Sequence, residues 1–168
     1  MTKFQEMCAA FAESRDSYFA YQNACILFAS DLERKFIEHC SIPHELLRLV
    51  PLNEKPKDGT IYTPAGAMYL DDDIFWHLGV QLTLYSAPNQ FPYQPVLMVF
   101  CIKKEADRFL VRFGTNGPDF IIEPSCIEGY LKLFDHVTSQ IKDYFSGRLQ
   151  RFLECSGDID EVRKIGFV

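Results

Sequence analysis

The chain has 168 residues, a length that predicts one domain over residues 1–168 with a core of its own. Hydrophobic residues make up 48% of the chain, which excludes an intrinsically disordered protein. The formal net charge of −6 argues against a broad basic surface, so we expect neither a nucleic-acid partner nor a membrane partner.

Export and membrane insertion are not expected from the sequence. The first residues lack a positively charged segment followed by an apolar one, and no apolar run reaches the roughly 18 residues of a spanning helix. The six cysteines are scattered and lack Cys-x-x-Cys spacing, which argues against a zinc ribbon or a thioredoxin-like motif. We therefore expect a cytoplasmic protein with reduced thiols and no cofactor.

A long helix is predicted over residues 3–40. The chain has no proline or glycine before Pro43, and Thr2 and Gln5 have the spacing of a capping box. Polar residues at 14–17 leave two alternatives open, one continuous helix or two collinear helices separated by a bend.

The apolar residues of this helix form one stripe. They recur every seven positions, with a second set three residues after members of the first: Phe4, Phe11, Tyr18, Cys25 and Leu32, with Met7, Tyr21 and Phe28. A continuous helix of this length would measure about 57 Å and overshoot its own domain. We therefore expect part of the stripe to be free for a second subunit.

The next segment is predicted to be irregular before the strands begin. Ser41 is expected to cap a short helix with Pro43 in its first turn. The apolar residues of that helix would be Leu46, Leu47 and Val50. Residues 51–60 form a polar loop, and residues 66–70 are predicted to be a strand.

Alternating apolar and polar residues predict an antiparallel sheet in the middle of the chain. Residues 76–85 alternate throughout, and residues 95–102 are apolar on both faces, as in a central strand. Residues 108–113 and 120–122 follow as further strands after short polar turns.

A second long helix is predicted after the strands. Ser125 and Glu128 have capping-box spacing, and helical periodicity continues to Phe152. Asp158 is expected to cap a last short helix, whose apolar residues are Ile159, Val162 and Ile165. This order predicts an α+β fold: a long N-terminal helix, a four- to five-stranded antiparallel meander, and a long C-terminal helix packed on one sheet face.

Asp71 and Asp73 are the candidate metal ligands. Alternate residues of an extended chain share a face, and carboxylate oxygens bind divalent cations. The alternative is a solvated turn between Leu70 and Ile74, which needs polar residues in any case.

The candidate ligand-binding residues are His77, Gln81 and Tyr85, on the polar side of one predicted strand, joined by Arg112 from a neighbouring strand. Together they would line a polar groove in which Arg112 faces a carboxylate or phosphate. The alternative is the ordinary solvated face of an antiparallel sheet.

Catalytic motifs are missing from the sequence. Gly-x-Ser-x-Gly and phosphate-loop patterns are absent, and Cys126, in the first turn of a predicted helix, has no histidine at helical spacing near it. We therefore expect a non-catalytic adaptor or chaperone-like homodimer. The alternative is a small-ligand-binding protein or hydrolase that uses the polar face of residues 76–85.

The candidate interface residues are Phe4, Phe11 and Tyr18 on the first helix and Phe91 and Tyr93 in the proline-rich loop 86–95. Aromatic side chains of this kind anchor protein interfaces. For the loop, the alternative is that its rings cover the edge of the sheet.

Overall fold

The computed structural model describes residues 1–147 together with Gln150 and Glu154. It confirms an α+β fold with a long N-terminal helix, an antiparallel sheet and a C-terminal helix. The elements are α1 (Lys3–Cys40), β1 (Leu47–Val50), α2 (Pro64–Ala67), β2 (Met68–Leu70), β3 (Trp76–Tyr85), β4 (Tyr93–Glu105), β5 (Arg108–Phe113), β6 (Asp119–Ile122) and α3 (Ile127–Ser146).

Two predicted helical segments concern residues that the structure does not describe. The continuation of the second long helix to Phe152 and the last helix capped by Asp158 lie outside the described residues. Among the residues that are described, no helix has the combination of length and hydropathy that crossing a membrane requires.

Helix α1 is continuous over 38 residues, so residues 14–17 neither bend nor break it. Its capping box is present: the Gln5 amide donates to Thr2 Oγ1 over 3.2 Å, and the Thr2 amide donates to Gln5 Oε1 over 2.8 Å. The helix ends at Ser41, which has a left-handed φ of 52°. Ser41 thus terminates α1, and the prediction that it caps a following helix is wrong.

The sheet has the strand order β1-β3-β4-β5-β6, and β2 also pairs with β3. All pairs are antiparallel, and β2 to β6 form the predicted meander. Strand β1 was not predicted, since residues 41–50 were expected to be helical. Instead, a short 3-10 turn over His44–Leu46 leads into β1, which pairs along residues 79–82 of β3. This edge of β3 offers hydrogen-bond partners to the backbone of residues 47–50, and that pairing prevails over the short helical pattern in the sequence.

Two other local predictions are corrected. The segment 66–70 divides into the end of the four-residue helix α2 and the short strand β2, with Pro64 at the start of α2. Helix α3 has Cys126 as its N-cap and makes no side-chain cap hydrogen bond, so the predicted capping box of Ser125 and Glu128 does not form.

The main core lies between one face of the sheet and the two long helices. Residues of α1 from Cys25 onward and the apolar face of α3 pack on the even-numbered residues of β3. Phe28 of α1 stacks on Phe109 of β5, with ring centroids 4.0 Å apart, and packs against Tyr130 of α3. Both helices therefore cover the same sheet face, as expected.

A polar contact joins the two helices at the edge of this core. The Tyr130 hydroxyl donates to Asp31 Oδ2 over 2.8 Å, and Lys35 Nζ lies 2.7 Å from the same oxygen. Burial by itself raises the pKa of Asp31, but hydrogen bonds from Lys35, Tyr130 and Arg34 outweigh it and hold that pKa below its usual value.

The opposite face of the sheet carries a smaller apolar cluster of Phe75, Val99 and Cys101. The chain crosses this face beside Gly79, where a Cβ atom would lie 2.2 Å from the Val50 carbonyl oxygen. Only glycine allows that close approach. This face is therefore partly covered, and it is called the second face below.

Candidate interface and candidate metal centre

The first half of α1 stands clear of the rest of the chain as far as the structure describes it. Every residue from 1 to 20 is exposed, whereas burial begins at Tyr21. We call residues 3–20 the overhang and residues 21–40 the anchored half. At 1.5 Å per residue, the overhang is about 27 Å long.

The overhang exposes large apolar side chains. Phe4 is 69% exposed and Phe11 is 68% exposed, and three more residues are close to half exposed or above: Met7, Tyr18 and Phe19. The three predicted interface residues of α1 are therefore all accessible.

The stripe on the overhang continues into the anchored half. Phe4, Phe11 and Tyr18 are spaced by seven residues, and the next two members of the series are Cys25 and Leu32, which are buried against the sheet. Seven residues advance about 20° short of two full turns, so the series remains on one side of the helix. One amphipathic face is thus packed in one half and bare in the other.

Phe91 and Tyr93 belong to a different end of the molecule. Their rings lie 4.6 Å apart at the β3–β4 hairpin, and Phe91 is 82% exposed, so it does not cover the sheet. The C-terminal end of α1 lies near Tyr85 of this hairpin, whereas Tyr21, at the start of the anchored half, contacts Lys104 at the other end of β4. The overhang and the hairpin are therefore separate surfaces.

A row of polar and ionisable residues crosses the second face. Cross-strand partners align one residue from each of five strands, β2 to β6, in register: Tyr69, His77, Cys101, Arg112 and Asp119. Directly opposed residues share a face of a sheet, so these side chains lie side by side.

His77 is buried, which differs from the solvated position expected for it. Its side chain is 3% exposed because the β2–β3 turn folds over it. His77 Nε2 lies 2.9 Å from Asp73 Oδ2 and 3.8 Å from Asp71 Oδ2. Ile74 in this turn has a φ of 64°, a strained value for a β-branched residue, and the turn presents both carboxylates to the ring.

The four candidate ligand-binding residues do not converge. Tyr85 is eight residues from His77 along one strand, about 26 Å at the rise of a strand, and its ring contacts Tyr93. Gln81 accepts a hydrogen bond from Arg48 over 3.0 Å. Arg112 pairs with Asp119 and lies 4.2 Å from the centre of the Phe75 ring. Only His77 and Arg112 share the row, and Cys101 lies between them.

Cys101 is the site residue that the sequence analysis missed. It is opposite His77 in the register of β3 and β4, and its Sγ lies 3.8 Å from Nε2 and 3.9 Å from Nδ1. The sequence held no clear signal for this contact, because a turn placed symmetrically within the loop 86–95 pairs residue 77 with residue 104, whereas the observed pairing of Tyr85 with Tyr93 puts residue 77 opposite residue 101. The prediction instead considered Cys126, the N-cap residue of α3.

The geometry does not favour Cys101 as a nucleophile. Burial, together with the nearby Asp73 carboxylate, raises the pKa of this thiol to about 12, and the residue is fully buried. Because Sγ is nearly equidistant from both ring nitrogens, it faces the flank of the ring rather than a single nitrogen. In a catalytic thiolate and imidazolium pair, by contrast, the pKa of the thiol is lowered and the sulfur faces one ring nitrogen.

A separate groove of about 310 Å³ lies between the end of α1, the end of β3 and α3. It is lined mainly by apolar side chains such as Phe36, Leu84 and Ile141, and of the candidate ligand-binding residues it includes Tyr85 alone. It is therefore distinct from the row that contains His77.

The chain was also compared with known proteins. No protein family, no curated protein and no solved structure matches it.

Proposed function

We propose that the protein is a non-catalytic interaction protein, of the adaptor or chaperone-like kind, that pairs with a second copy of itself through the overhang of α1. The single observation that carries this proposal is the continuous apolar stripe, which is packed in the anchored half and bare over residues 3–20.

The size of the bare surface supports the proposal. At about 200 Å² for each whole side chain, the exposed parts of its five large apolar residues amount to about 600 Å². A standard interface buries about 800 Å² on each partner, and monomers rarely leave apolar patches of this size exposed. The overhang thus presents most of one side of an ordinary interface.

The pattern of the stripe favours a second copy as the partner. A spacing of seven residues is the repeat that two helices need in order to pack along each other. A second copy of this chain supplies the same stripe, and in an antiparallel pair centred near Phe11 the two stripes face each other.

The other elements of the proposal follow from the same surfaces. The net charge of −6 fits a protein partner better than a nucleic acid. We place the protein in the cytoplasm, because its exposed Cys8 is a free thiol that a reducing compartment would preserve. The alternative, a small-ligand-binding protein or hydrolase acting on the polar face of β3, has less support, because His77 and Tyr85 lie about 26 Å apart along that strand.

Light scattering after size-exclusion chromatography tests the proposal with a matched pair of variants. At tens of micromolar the wild-type chain is expected at twice 19.4 kDa. Phe11→Asp places a carboxylate in the centre of the stripe and should yield a monomer, whereas Ala9→Asp adds the same charge to the opposite side of the helix and should remain dimeric. Both residues are exposed in one chain, so circular dichroism should show that both variants keep the wild-type fold.

Two results would contradict the proposal. One is a wild-type monomer at tens of micromolar, and the other is a dimer that Phe11→Asp leaves intact. Equal loss of the dimer in Ala9→Asp would indicate a general effect of charge and would also count against pairing through the stripe.

A further inference from the structure

A cluster of four side chains on the second face has the composition of a transition-metal site. It consists of Asp71 and Asp73 from the β2–β3 turn, His77 from β3 and Cys101 from β4, and we call it the Asp-His-Cys cluster. Donor atoms of Asp73, His77 and Cys101 all lie within 4.8 Å of one another, and this is the one such group among the residues described here.

The distances around His77 are close to those between ligands of one ion. In a tetrahedral zinc site with bonds of about 2.0–2.3 Å, neighbouring donor atoms lie about 3.3–3.6 Å apart. From His77 Nε2, Asp73 Oδ2 is at 2.9 Å, Asp71 Oδ2 at 3.8 Å and Cys101 Sγ at 3.8 Å. Asp73 now makes a direct hydrogen bond to Nε2, so binding would move its carboxylate outward by a few tenths of an ångström and would turn the thiol toward Nε2.

Burial gives a second and independent reason to assign a ligand to this cluster. His77 is the one buried residue of polar or charged type among the residues described here, and Cys101 beside it is fully enclosed. A surface turn of acidic residues alone would not require a buried imidazole and a buried thiol at its base. Here the acidic turn closes over both.

From these observations we propose that the Asp-His-Cys cluster binds one Zn²⁺ ion or a similar borderline-soft divalent cation. Mixed sulfur, nitrogen and oxygen donors suit zinc, whereas calcium and magnesium require oxygen donors alone. Two carboxylates and a thiolate leave a net charge of −1 around Zn²⁺. The Arg112 guanidinium, directly opposite Cys101 in the sheet, interacts with both Cys101 and Asp73 and offsets that charge.

The bound ion would have a structural role. It would tie the β2–β3 turn to the centre of the sheet by joining ligands from the turn and from two adjacent strands, β3 and β4. Ions held by four protein ligands stabilise the fold and leave no open position for a substrate. This proposal is independent of pairing through the overhang, because the cluster and residues 3–20 share no residue.

Titration calorimetry of the chelator-treated, full-length chain with Zn²⁺ alone tests the site. One ion per chain is expected. Asp73→Asn removes a ligand with little change in shape and should weaken binding by at least about tenfold. Asp72→Asn, one residue away and with the same loss of charge, should bind like the wild type, since no described contact joins Asp72 to His77.

A Co²⁺ spectrum identifies the sulfur ligand without altering a buried residue. The wild-type chain and Asp72→Asn should show a thiolate-to-cobalt charge-transfer band, and Asp73→Asn should need at least about ten times more Co²⁺ to reach the same band. Cys8→Ser should retain the band, because Cys8 is exposed on the overhang, far in sequence from this cluster.

Three results would overturn the assignment. They are no Zn²⁺ binding at millimolar metal, binding that Asp73→Asn leaves unchanged, and a cobalt complex without the charge-transfer band. The second result would indicate adventitious binding elsewhere on the chain, and the third would remove Cys101 from the ligand set.

Discussion

The two halves of α1 carry the same seven-residue stripe in different surroundings. In the anchored half, Phe28 lies against Phe109 and Leu32 is almost fully buried, whereas in the overhang Phe4 and Phe11 are mostly exposed. The same pattern therefore has two uses: one half completes the core of its own chain, and the other is available to a partner. Periodicity alone predicts the stripe, and the extent of the sheet decides where it is buried.

The largest expected effect comes from truncating one aromatic residue in each half. Phe28→Ala should lower the free energy of unfolding by about 3–5 kcal/mol, because it leaves a cavity between α1, β5 and α3. Phe11→Ala should change it by less than about 0.5 kcal/mol, because its side chain is 68% exposed and packs on no other described element. Urea unfolding of dilute protein, below the concentration at which chains pair, measures both values. Equal losses would mean that the overhang packs on the domain.

A smaller effect is expected from the contact that fixes the anchored half to α3. Tyr130→Phe removes the hydroxyl that donates to Asp31 and should cost about 1–2 kcal/mol at neutral pH. No comparable loss of unfolding free energy is expected from a substitution in the overhang, because no tertiary hydrogen bond is described there. Urea unfolding of the wild type and the variant at pH 7 gives the difference.

The cost of Tyr130→Phe should also depend on pH. Hydrogen bonds from Lys35, Tyr130 and Arg34 outweigh the effect of burial and lower the pKa of folded Asp31, so ionised Asp31 stabilises the fold above its unfolded pKa near 4. This contribution is lost as the pH falls through the folded pKa. The difference between wild type and variant should therefore narrow in acid. A difference that widens below pH 4 would contradict this assignment of Asp31.

The smallest effect is expected at the start of the overhang. Thr2→Ala removes the side-chain oxygen that caps α1, a change that typically costs a helix about 1 kcal/mol. Because the overhang makes no contacts with the core, we expect fraying of its first turns, seen as faster amide exchange, with no measurable change in global unfolding. A full loss of about 1 kcal/mol in global stability would show that both halves of α1 unfold as one unit.

Local signals explain how much of this fold is predictable from the sequence. The capping box of Thr2 and Gln5, the absence of helix breakers and the alternation in β3 depend on neighbouring residues, and each of these elements forms as predicted. Strand β1 was missed because its pairing with β3 depends on residues 29 to 35 positions away. A helical pattern of so few residues does not produce a helix where the unpaired edge of a strand is available for pairing.

The candidate metal centre was only partly predictable for a similar reason. Asp71 and Asp73 are prominent in the sequence, and they do face His77. Cys101 and the burial of His77 depend on the register of the β3–β4 hairpin and on a turn in which Ile74 has a positive φ. Neither feature produces a periodic pattern, so the sequence shows the acidic ligands but not the enclosed ones.

Amide hydrogen exchange at two protein concentrations tests the central claim most directly, since it reads both halves of α1 in one experiment. In concentrated protein we expect residues 3–20 to be protected, and on dilution that protection should fall while residues 21–40 stay protected by the core. Protection of residues 3–20 that does not depend on concentration, or that is absent even in concentrated protein, would contradict pairing of the overhang with a second copy.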